Sequence, residues 1–221
     1  MNFIILSGPT REYIDPVRFI SNDSSGKMGK ALAEIVLGGG HNLVFITGQA
    51  LVLPSVDLKN RNSFKIVPIV SADDMFKAVK KYLKSADIVI SAAAVSDFKP
   101  VLKSKEKIKK KSQNLTLKLV KNPDIISYCG KNKGGRIIVG FALETQNLLK
   151  NALKKLKEKE LDLIVANQKD ALGCDKTTAY IIRKDGSIIT LKNADKKKIA
   201  GKIINETISI FRNSKTCKKK S

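Results

Sequence analysis

The amino-acid sequence predicts an α/β protein built on a doubly wound, mainly parallel sheet with flanking helices. Short apolar runs typical of buried strands alternate with segments of helical spacing along the 221 residues. Neither an internal repeat nor a low-complexity linker interrupts this alternation. We therefore expect a single domain over residues 1–213, followed by a basic, disordered tail over residues 214–221.

The predicted strands are short apolar runs, and the predicted helices begin at recognisable caps. Ser71 precedes two acidic residues and a helical run, and Asn122-Pro123 reads as a helix N-cap followed by proline. Strands are predicted at residues 3–6, 43–47, 64–70, 87–91, 137–142 and 161–167, with a half-exposed strand at 115–120. Helices are predicted at residues 31–37, 72–86, from 122, at 147–159 and from about 194, and a β-hairpin at residues 179–191.

The loop after the first strand has the character of a binding site. Gly8 allows the backbone to turn close to a ligand, and Thr10 can cap whatever follows. The polar segment then leads to Gly29 and a helix, so an anion could bind at this helix N-terminus. Neither the Walker pattern nor the dinucleotide fingerprint is present, because Gly26-Lys27 is followed by Met28 and no G-x-G-x-x-G follows the first strand. A long structural connection is the alternative interpretation.

The chain carries 42 Lys and Arg against 20 Asp and Glu, a formal net charge of +22. This excess favours anionic partners such as nucleotides or phosphorylated metabolites. Aromatic residues make up only 5% of the chain and tryptophan is absent, so nucleic acid is a disfavoured partner. A lysine-rich composition alone would give the same charge.

Several functional classes are disfavoured by what the sequence contains. No apolar run is long enough to cross a bilayer, and the N-terminus reads as a strand rather than a signal peptide, so we expect a cytoplasmic protein without a membrane partner. The three cysteines lie far apart, which suggests neither a disulfide framework nor a zinc site. His41 is the only histidine, so a Ser-His-Asp apparatus is not expected.

Seven motifs, in this order along the chain, resemble the phosphopantothenate-cysteine ligase family, the synthetase part of the bacterial bifunctional coenzyme A biosynthesis proteins. They are GPTRE at 8–12, DPVRFISNDSSGKMG at 15–29, AAAVSDFKP at 92–100, EKIKK at 106–110, KNPDII at 121–126, GFALET at 140–145 and DLIVAN at 162–167. The resemblance implies a Rossmann-like fold and a small β-hairpin or dimerisation element.

The resemblance also implies a reaction. In this family, CTP activates the carboxylate of 4′-phosphopantothenate as an acyl-cytidylate with loss of pyrophosphate, and the amine of cysteine displaces CMP to form an amide. Mg²⁺ accompanies CTP, and its protein ligands are left open. A homodimer is implied, with residues 115–120 and the hairpin as candidate contacts. Many bacterial members carry a decarboxylase half, so this chain is expected to be a stand-alone ligase or an excised domain, with a separate decarboxylase as a possible partner.

Site residues follow from the motifs that match. Asn22 corresponds to the residue that handles the acyl intermediate, and Lys107 to the lysine needed for nucleotidylate chemistry. Arg18, Asn22 and Ala93 match positions that bind substrate. The nucleotide-binding positions are Ser91, Ala92, Ala93, Asp97, Lys107, Pro123, Asp124, Ile125, Ile126, Phe141, Lys155 and Lys159.

Two other functions remain open at this point. A Rossmann-like oxidoreductase would require tight NADH binding, which the missing glycine fingerprint disfavours. A basic nucleic-acid-binding module would require affinity that falls steeply with salt.

Overall fold

The computed structural model describes residues 1–55, 63–110, 113–168 and 176–218. Within these ranges the chain forms twelve strands and five α-helices. The strands are β1 Asn2–Ser7, β2 Arg11–Tyr13, β3 Phe19–Ser21, β4 Asn42–Thr47, β5 Phe64–Pro68, β6 Ile88–Ser91, β7 Phe98–Pro100, β8 Leu119–Lys121, β9 Ile137–Glu144, β10 Leu163–Gln168, β11 Lys176–Arg183 and β12 Ile188–Asp195. The helices are α1 Lys27–Gly38, α2 Ala72–Tyr82, α3 Ile125–Lys131, α4 Leu148–Glu158 and α5 Lys196–Lys218.

Eight strands form one sheet in the order β12-β11-β10-β9-β6-β1-β4-β5. Neighbours from β5 to β10 run parallel, whereas β11 and β12 are antiparallel and form the predicted hairpin. The mainly parallel α/β fold predicted from the sequence is confirmed. The chain proceeds outward from β1 to β4 and β5, then returns to place β6 on the other side of β1. This reversal creates a crevice beyond the carboxyl ends of β1 and β6, where ligands bind in such sheets.

The core consists of two apolar layers, one on each face of the sheet. Alternate residues of β1 enter opposite layers, because successive side chains of a strand point to opposite faces. Phe3 and Ile5 pack with residues of α1 and α5, whereas Ile4 and Leu6 pack with residues of α2, α3 and α4. The helices therefore cover both faces, and they hold the carboxyl ends of the strands in fixed relative positions.

The start of α2 is fixed by two carboxylates. Ser71 and Asp74 form the predicted N-terminal cap in reciprocal fashion, and the buried side chain of Glu12 accepts a hydrogen bond from the amide of Ala72 at 2.9 Å. Glu12 lies in the GPTRE motif, so that motif also anchors a helix. Loss of such a cap typically costs about 1 kcal/mol.

Two strand predictions are wrong in detail. Strand β5 was expected to be buried, but it is the edge of the sheet and Lys65, Ile66 and Pro68 are exposed. An edge strand has a partner on one side only, and apolar composition cannot distinguish it from a central one. Residues 115–118 are not a strand, and only Leu119–Lys121 pairs, with β7.

Two helix boundaries also differ from the prediction. Asp124, rather than Asn122, is the N-cap of α3, because its carboxylate accepts the amide of Ser127 at 3.0 Å. Helix α5 continues to Lys218, whereas a disordered tail was expected from Ser214. The apolar spacing of α5, with Phe211 buried, allows the helix to extend into its basic end. Residues 219–221 of the predicted tail lie outside the described residues.

His41 and Cys129 have structural surroundings. The His41 ring stacks on Phe3 with a centroid distance of 5.4 Å, and burial lowers its pKa. Cys129 is buried in α3, where burial raises the pKa of its thiol to about 12. In the described parts of the chain, no helix combines the length and the apolar character needed to span a bilayer.

Candidate active site

The floor of the crevice is formed by the loops that follow β1 and β6. Gly8 adopts φ 70°, a left-handed conformation that favours glycine. Its carbonyl accepts the amide of Ala94 at 3.0 Å, and Pro9 pairs with Ala94 as an isolated parallel bridge. The Thr10 hydroxyl accepts the amide of Ser96 at 3.0 Å, so Thr10 fixes the second loop rather than capping the segment that follows it. The GPTRE and AAAVSD motifs therefore form one hydrogen-bonded unit.

Asn22 is attached to this floor. Its amide nitrogen donates to the carbonyl of Val95 at 3.0 Å, and the neighbouring Ser21 hydroxyl donates to the carbonyl of Thr10 at 2.7 Å. Asn22 is exposed, and its amide oxygen has no protein partner in the described ranges. The side chain is thus held at one end while its oxygen remains able to accept a hydrogen bond from a ligand.

A potential anion site adjoins the floor at the N-terminus of α1. Gly26 precedes the helix with φ 77°, no side chain caps it, and the first turn contains no acidic residue. The hydroxyl of Ser7 at the end of β1 is buried and has no hydrogen-bond partner among the described residues. The amide of Lys27 donates to the hydroxyl of Ser25 at 3.4 Å. The other amides of the first turn and the buried Ser7 hydroxyl are suited to bind phosphate oxygens.

Asn122 joins the KNPDII motif to the same floor. Its backbone amide donates to the carbonyl of Asp97 and its side-chain amide to the carbonyl of Ser96, both at 2.8 Å. Consequently, residues 123–126 follow immediately beside the loop that follows β6. The hydroxyl of Ser96 and the amide oxygen of Asn122 are buried without partners in the described ranges. A polar ligand or water would satisfy both atoms.

The two predicted nucleotide-binding lysines of α4 are held in different ways. Lys155 pairs with Glu144 at 2.9 Å, and Lys159, the C-cap of α4, pairs with Asp124 at 3.0 Å. Burial alone would raise the pKa of Glu144, but hydrogen bonds from Lys155 and Asn151 outweigh it, so this pKa is below its usual value. Lys159 thereby meets the KNPDII motif, and Lys155 meets the end of β9, the strand that carries Phe141.

Lys107 is exposed and lies in the segment 101–110, which follows β7. Its side chain has no hydrogen-bond or ion-pair partner among the described residues, but its neighbour Ile108 is bound to the turn between β2 and β3 through Asp15 and Arg18. Arg18 donates to Asp15 and to the carbonyl of Ile108. Strand β3 separates this turn from Asn22 by three residues, about 10 Å of extended chain. The two predicted catalytic residues thus flank opposite ends of one hairpin.

The structure brings most of the predicted residues to one edge of the sheet. Ser91, Ala92, Ala93 and Asp97 belong to or follow β6, and Asn22 and Pro123 are hydrogen-bonded, directly or through a neighbour, to the same loop. Lys107 lies farther from this edge, in the segment that follows β7. The motifs did not assign roles to Ser7, Asp15, Ser96 and Asn122, although an aspartate before proline at residues 15–16 is a turn signal that could have identified Asp15.

No protein cage for a metal ion exists in the described ranges, because no three His, Cys, Asp or Glu side chains come together there. Asp97 is exposed and has no ion-pair partner among the described residues, whereas Asp124 is paired with Lys159. This donor set fits a Mg²⁺ ion that is held mainly by phosphate oxygens and water, which is its usual mode in nucleotide sites.

Several known proteins resemble this chain in sequence or in fold. The chain is 40% identical over 211 residues to the coenzyme A biosynthesis bifunctional protein CoaBC of Bacillus subtilis. The aligned residues cover 94% of this chain and 51% of that protein. A crystal structure of the C-terminal domain of a CoaBC protein matches with a TM-score of 0.81 at 33% identity, covering 96% of both chains. A complex of a Cab2 H337A mutant with phosphopantothenate-cysteine has the same fold, with a TM-score of 0.81 at 19% identity over 99% of this chain and 88% of that one.

The chain spans about half the length of the curated relatives it matches. The family model that matches residues 1–210 describes the C-terminal domain of the DNA/pantothenate metabolism flavoproteins. This match covers nearly the whole sequence and both loops of the crevice. The chain therefore belongs to the family of the DNA/pantothenate metabolism flavoprotein C-terminal domain.

Proposed function

We propose that this chain is a phosphopantothenate-cysteine ligase, which joins 4′-phosphopantothenate to cysteine in coenzyme A biosynthesis at the expense of CTP. The observation that carries the proposal is the hydrogen-bonded unit of the GPTRE and AAAVSD loops, with Asn22 attached to it. This unit lies beyond β1 and β6, where the strand order of the sheet reverses. The names of the bifunctional relatives and the phosphopantothenate-cysteine bound to the Cab2 mutant support the choice of substrates.

The reaction takes place in two transfers. A carboxylate oxygen of 4′-phosphopantothenate attacks the α-phosphorus of CTP, and the bond to pyrophosphate breaks. The amine of cysteine then attacks the acyl carbon, CMP leaves with the bridging oxygen, and the amine loses a proton. Alignment of two polyanions is the main task of the protein, and good alignment is worth up to about 7–11 kcal/mol in well-oriented systems.

Each group in the site has a role in this scheme. The small residues Ala92 and Ala93 admit the nucleotide close to the backbone, and the N-terminus of α1 with Ser7 accepts phosphate oxygens. Asn22 offers its free amide oxygen to a hydrogen-bond donor of the acyl intermediate, while Lys107 offsets the negative charge that develops on the phosphates. Arg18 retains one terminal nitrogen without a partner in the described ranges, which leaves it a donor for the substrate.

A Mg²⁺ ion would enter with CTP and would be held by Asp97 together with phosphate oxygens and water. When bound, the ion supplies charge neutralisation on the phosphates. The protein side chains orient the two substrates and exclude water from the intermediate.

The antiparallel strands β7 and β8, with Leu102 just after β7, form the candidate dimer contact. Phe98 and Leu119 lie on one face of this strand pair and Val120 on the other, and each is 45% exposed. Leu102, just after β7, is 85% exposed. Apolar surface concentrated on one small element in this way favours a partner that covers it. We propose a homodimer through this element, a cytoplasmic location, and a phosphopantothenoylcysteine decarboxylase that acts on the product, either as a separate protein or as another part of the same one.

The proposal is tested by incubating the purified chain with 4′-phosphopantothenate, cysteine, Mg²⁺ and either CTP or ATP, followed by mass spectrometry of the product. The expected product is 4′-phosphopantothenoylcysteine, formed with one CMP and one pyrophosphate and with CTP strongly preferred. Absence of the amide with both nucleotides would overturn the proposal. Substrate-independent NADH binding would instead favour an oxidoreductase.

A further inference from the structure

Asp15 is a fully buried carboxylate in the turn between β2 and β3, and its two oxygens accept hydrogen bonds from different groups. Oδ1 accepts the backbone amides of Val17 and Arg18, both at 2.9 Å, which closes the turn itself. Oδ2 accepts Nε and a terminal nitrogen of Arg18, at 3.0 and 2.5 Å, and also the amide of Ile108 at 3.1 Å. Ile108 is distant in sequence, so Oδ2 makes a tertiary connection.

The connection is reinforced from the Arg18 side. The same terminal nitrogen of Arg18 donates to the carbonyl of Ile108 at 3.0 Å, so that Asp15 and Arg18 together bind both polar groups of the Ile108 backbone. The amide of Ser104 also donates to the carbonyl of Ile14 at 2.9 Å. The segment 104–108, which follows β7, is thereby attached to the turn at two points.

We infer that Asp15 is a positioning residue, which holds the segment 104–108 through Ile108 and so sets the place from which Lys107 reaches the phosphates. The inference rests on the proposed function in one respect only, the role of Lys107 in the chemistry. The attachment of the loop is independent of that role.

The physical reason lies in the geometry of a lysine on a loop. Lys107 has a long flexible side chain and, among the described residues, no partner of its own, so its position depends on where its backbone is fixed. Hydrogen bonds to an ionised carboxylate are stronger than neutral ones, and the bound guanidinium keeps the pKa of Asp15 well below its usual range. Asp15 therefore stays ionised at every pH at which the proposed reaction would be measured.

Because the two oxygens bind different groups, substitutions of Asp15 can separate its local role in the turn from its role in holding the segment 104–108. Asp15→Asn keeps one carbonyl oxygen for the turn and replaces the other oxygen by an NH₂ group, which cannot accept from Arg18 or Ile108. Asp15→Ala removes both functions. A purely local role in the turn would make Asp15→Asn resemble the wild type, whereas a positioning role makes it resemble Asp15→Ala. Asp185→Asn is the matched control, since Asp185 also accepts a turn amide, that of Ser187 at 2.8 Å, at the distant β11–β12 turn.

Two readouts are measured on the full chain. The first is tryptic cleavage after the lysines between residues 103 and 110, mapped by mass spectrometry without substrates. The second is pyrophosphate release, with separate kcat and KM values for CTP and for cysteine. Asp15→Asn is expected to accelerate cleavage at least tenfold and to lower kcat by about 10- to 100-fold, with KM for cysteine unchanged, because small misplacements of a reacting group have effects of this size.

The inference would be overturned if Asp15→Asn had the cleavage rate and kcat of the wild type. It would also be overturned if Asp185→Asn changed both quantities as much as Asp15→Asn does. If Asp15→Asn fails to fold in a thermal melt, the comparison moves to Ile108→Pro, which removes the donor amide, against Ile108→Ala, which keeps it. Trypsin does not cleave a Lys-Pro bond, so cleavage after Lys107 is left out of this comparison. Faster cleavage after Lys103, Lys105 and Lys109 in the proline variant alone supports the inference, and equal cleavage overturns it. Absence of pyrophosphate release in the wild type would contradict the proposed function, while the cleavage result would still decide the attachment of the loop.

Discussion

Gly29, in the first turn of α1, lies directly against the side chain of Ser7 at the end of β1. A β-carbon at position 29 would lie 2.5 Å from the Cβ of Ser7 and closer still to its hydroxyl. The helix approaches the strand this closely because glycine has no side chain there. The contact brings the N-terminus of α1 beside the buried, unpartnered Ser7 hydroxyl, which is the proposed site for phosphate oxygens.

The first prediction concerns this contact. Gly29→Ala is expected to destabilise the fold by about 1–3 kcal/mol, because overpacking against a rigid strand costs this much. Urea unfolding measures the effect. Gly38→Ala in the same helix is the control, since a β-carbon there meets nothing within 4 Å and alanine should be neutral or stabilising. Equal unfolding midpoints for the two variants would contradict the close approach.

The second prediction concerns the lysines of α4. Lys155→Met and Lys159→Met are each expected to raise KM for CTP about tenfold with a smaller effect on kcat, because hydrogen bonds to charged groups are worth about 1.5–3 kcal/mol. Steady-state kinetics with varied CTP measures this. Lys154→Met is the matched control, because Lys154 is 71% exposed and its only recorded partner in the described ranges is Glu158 at 3.8 Å. A control as impaired as the other two variants would refute the assignment.

The third prediction uses the only histidine in the sequence. Burial, followed by the positive N-terminus and Arg212, lowers the pKa of His41 in the folded chain. The unfolded state then binds more protons between this lowered pKa and about 6.5, so stability rises with pH across that window and falls on acidification. Thermal melts from pH 7.5 to 5.0 measure the slope. His41→Gln should flatten it, and an unchanged slope in this variant would show that other groups cause it.

The fourth prediction concerns Cys129, whose thiol is buried and has a pKa raised to about 12. The thiolate is the reactive form, so iodoacetamide should leave Cys129 unmodified in the native chain at pH 8 and label it after denaturation. Peptide mapping separates this residue from the other cysteines. Native labelling of Cys129 at the rate of a free thiol would contradict its burial.

The fold was largely predictable because its signals are local. Apolar runs separated by helical segments predict parallel strands, and Ser71 with Asp74 marked the start of α2 correctly. The exposure of β5 was not predictable, because the position of a strand within a sheet depends on the whole topology. The helical continuation of α5 past Ser214 was missed for a similar reason: the charged composition masks the buried positions that support the helix.

The site was predictable in part. The motifs identified Asn22 and the loop after β6, which the structure joins by a hydrogen bond to Val95. The roles of Asp15 and Asn122 are tertiary, since each binds a segment far away in sequence, and no local pattern specifies such a partner. Asn122 in particular was interpreted as a helix cap, which is what its local sequence favours.

The most direct test of the central claim is pyrophosphate release with CTP, with and without cysteine, in the wild type, Lys107→Gln, Asn22→Asp and the neighbouring control Lys105→Gln. The proposed function predicts release by the wild type and by Lys105→Gln, abolition in Lys107→Gln, and a disturbed acyl-cytidylate intermediate in Asn22→Asp. Absence of release in the wild type with both CTP and ATP, or full activity in Lys107→Gln, would contradict it.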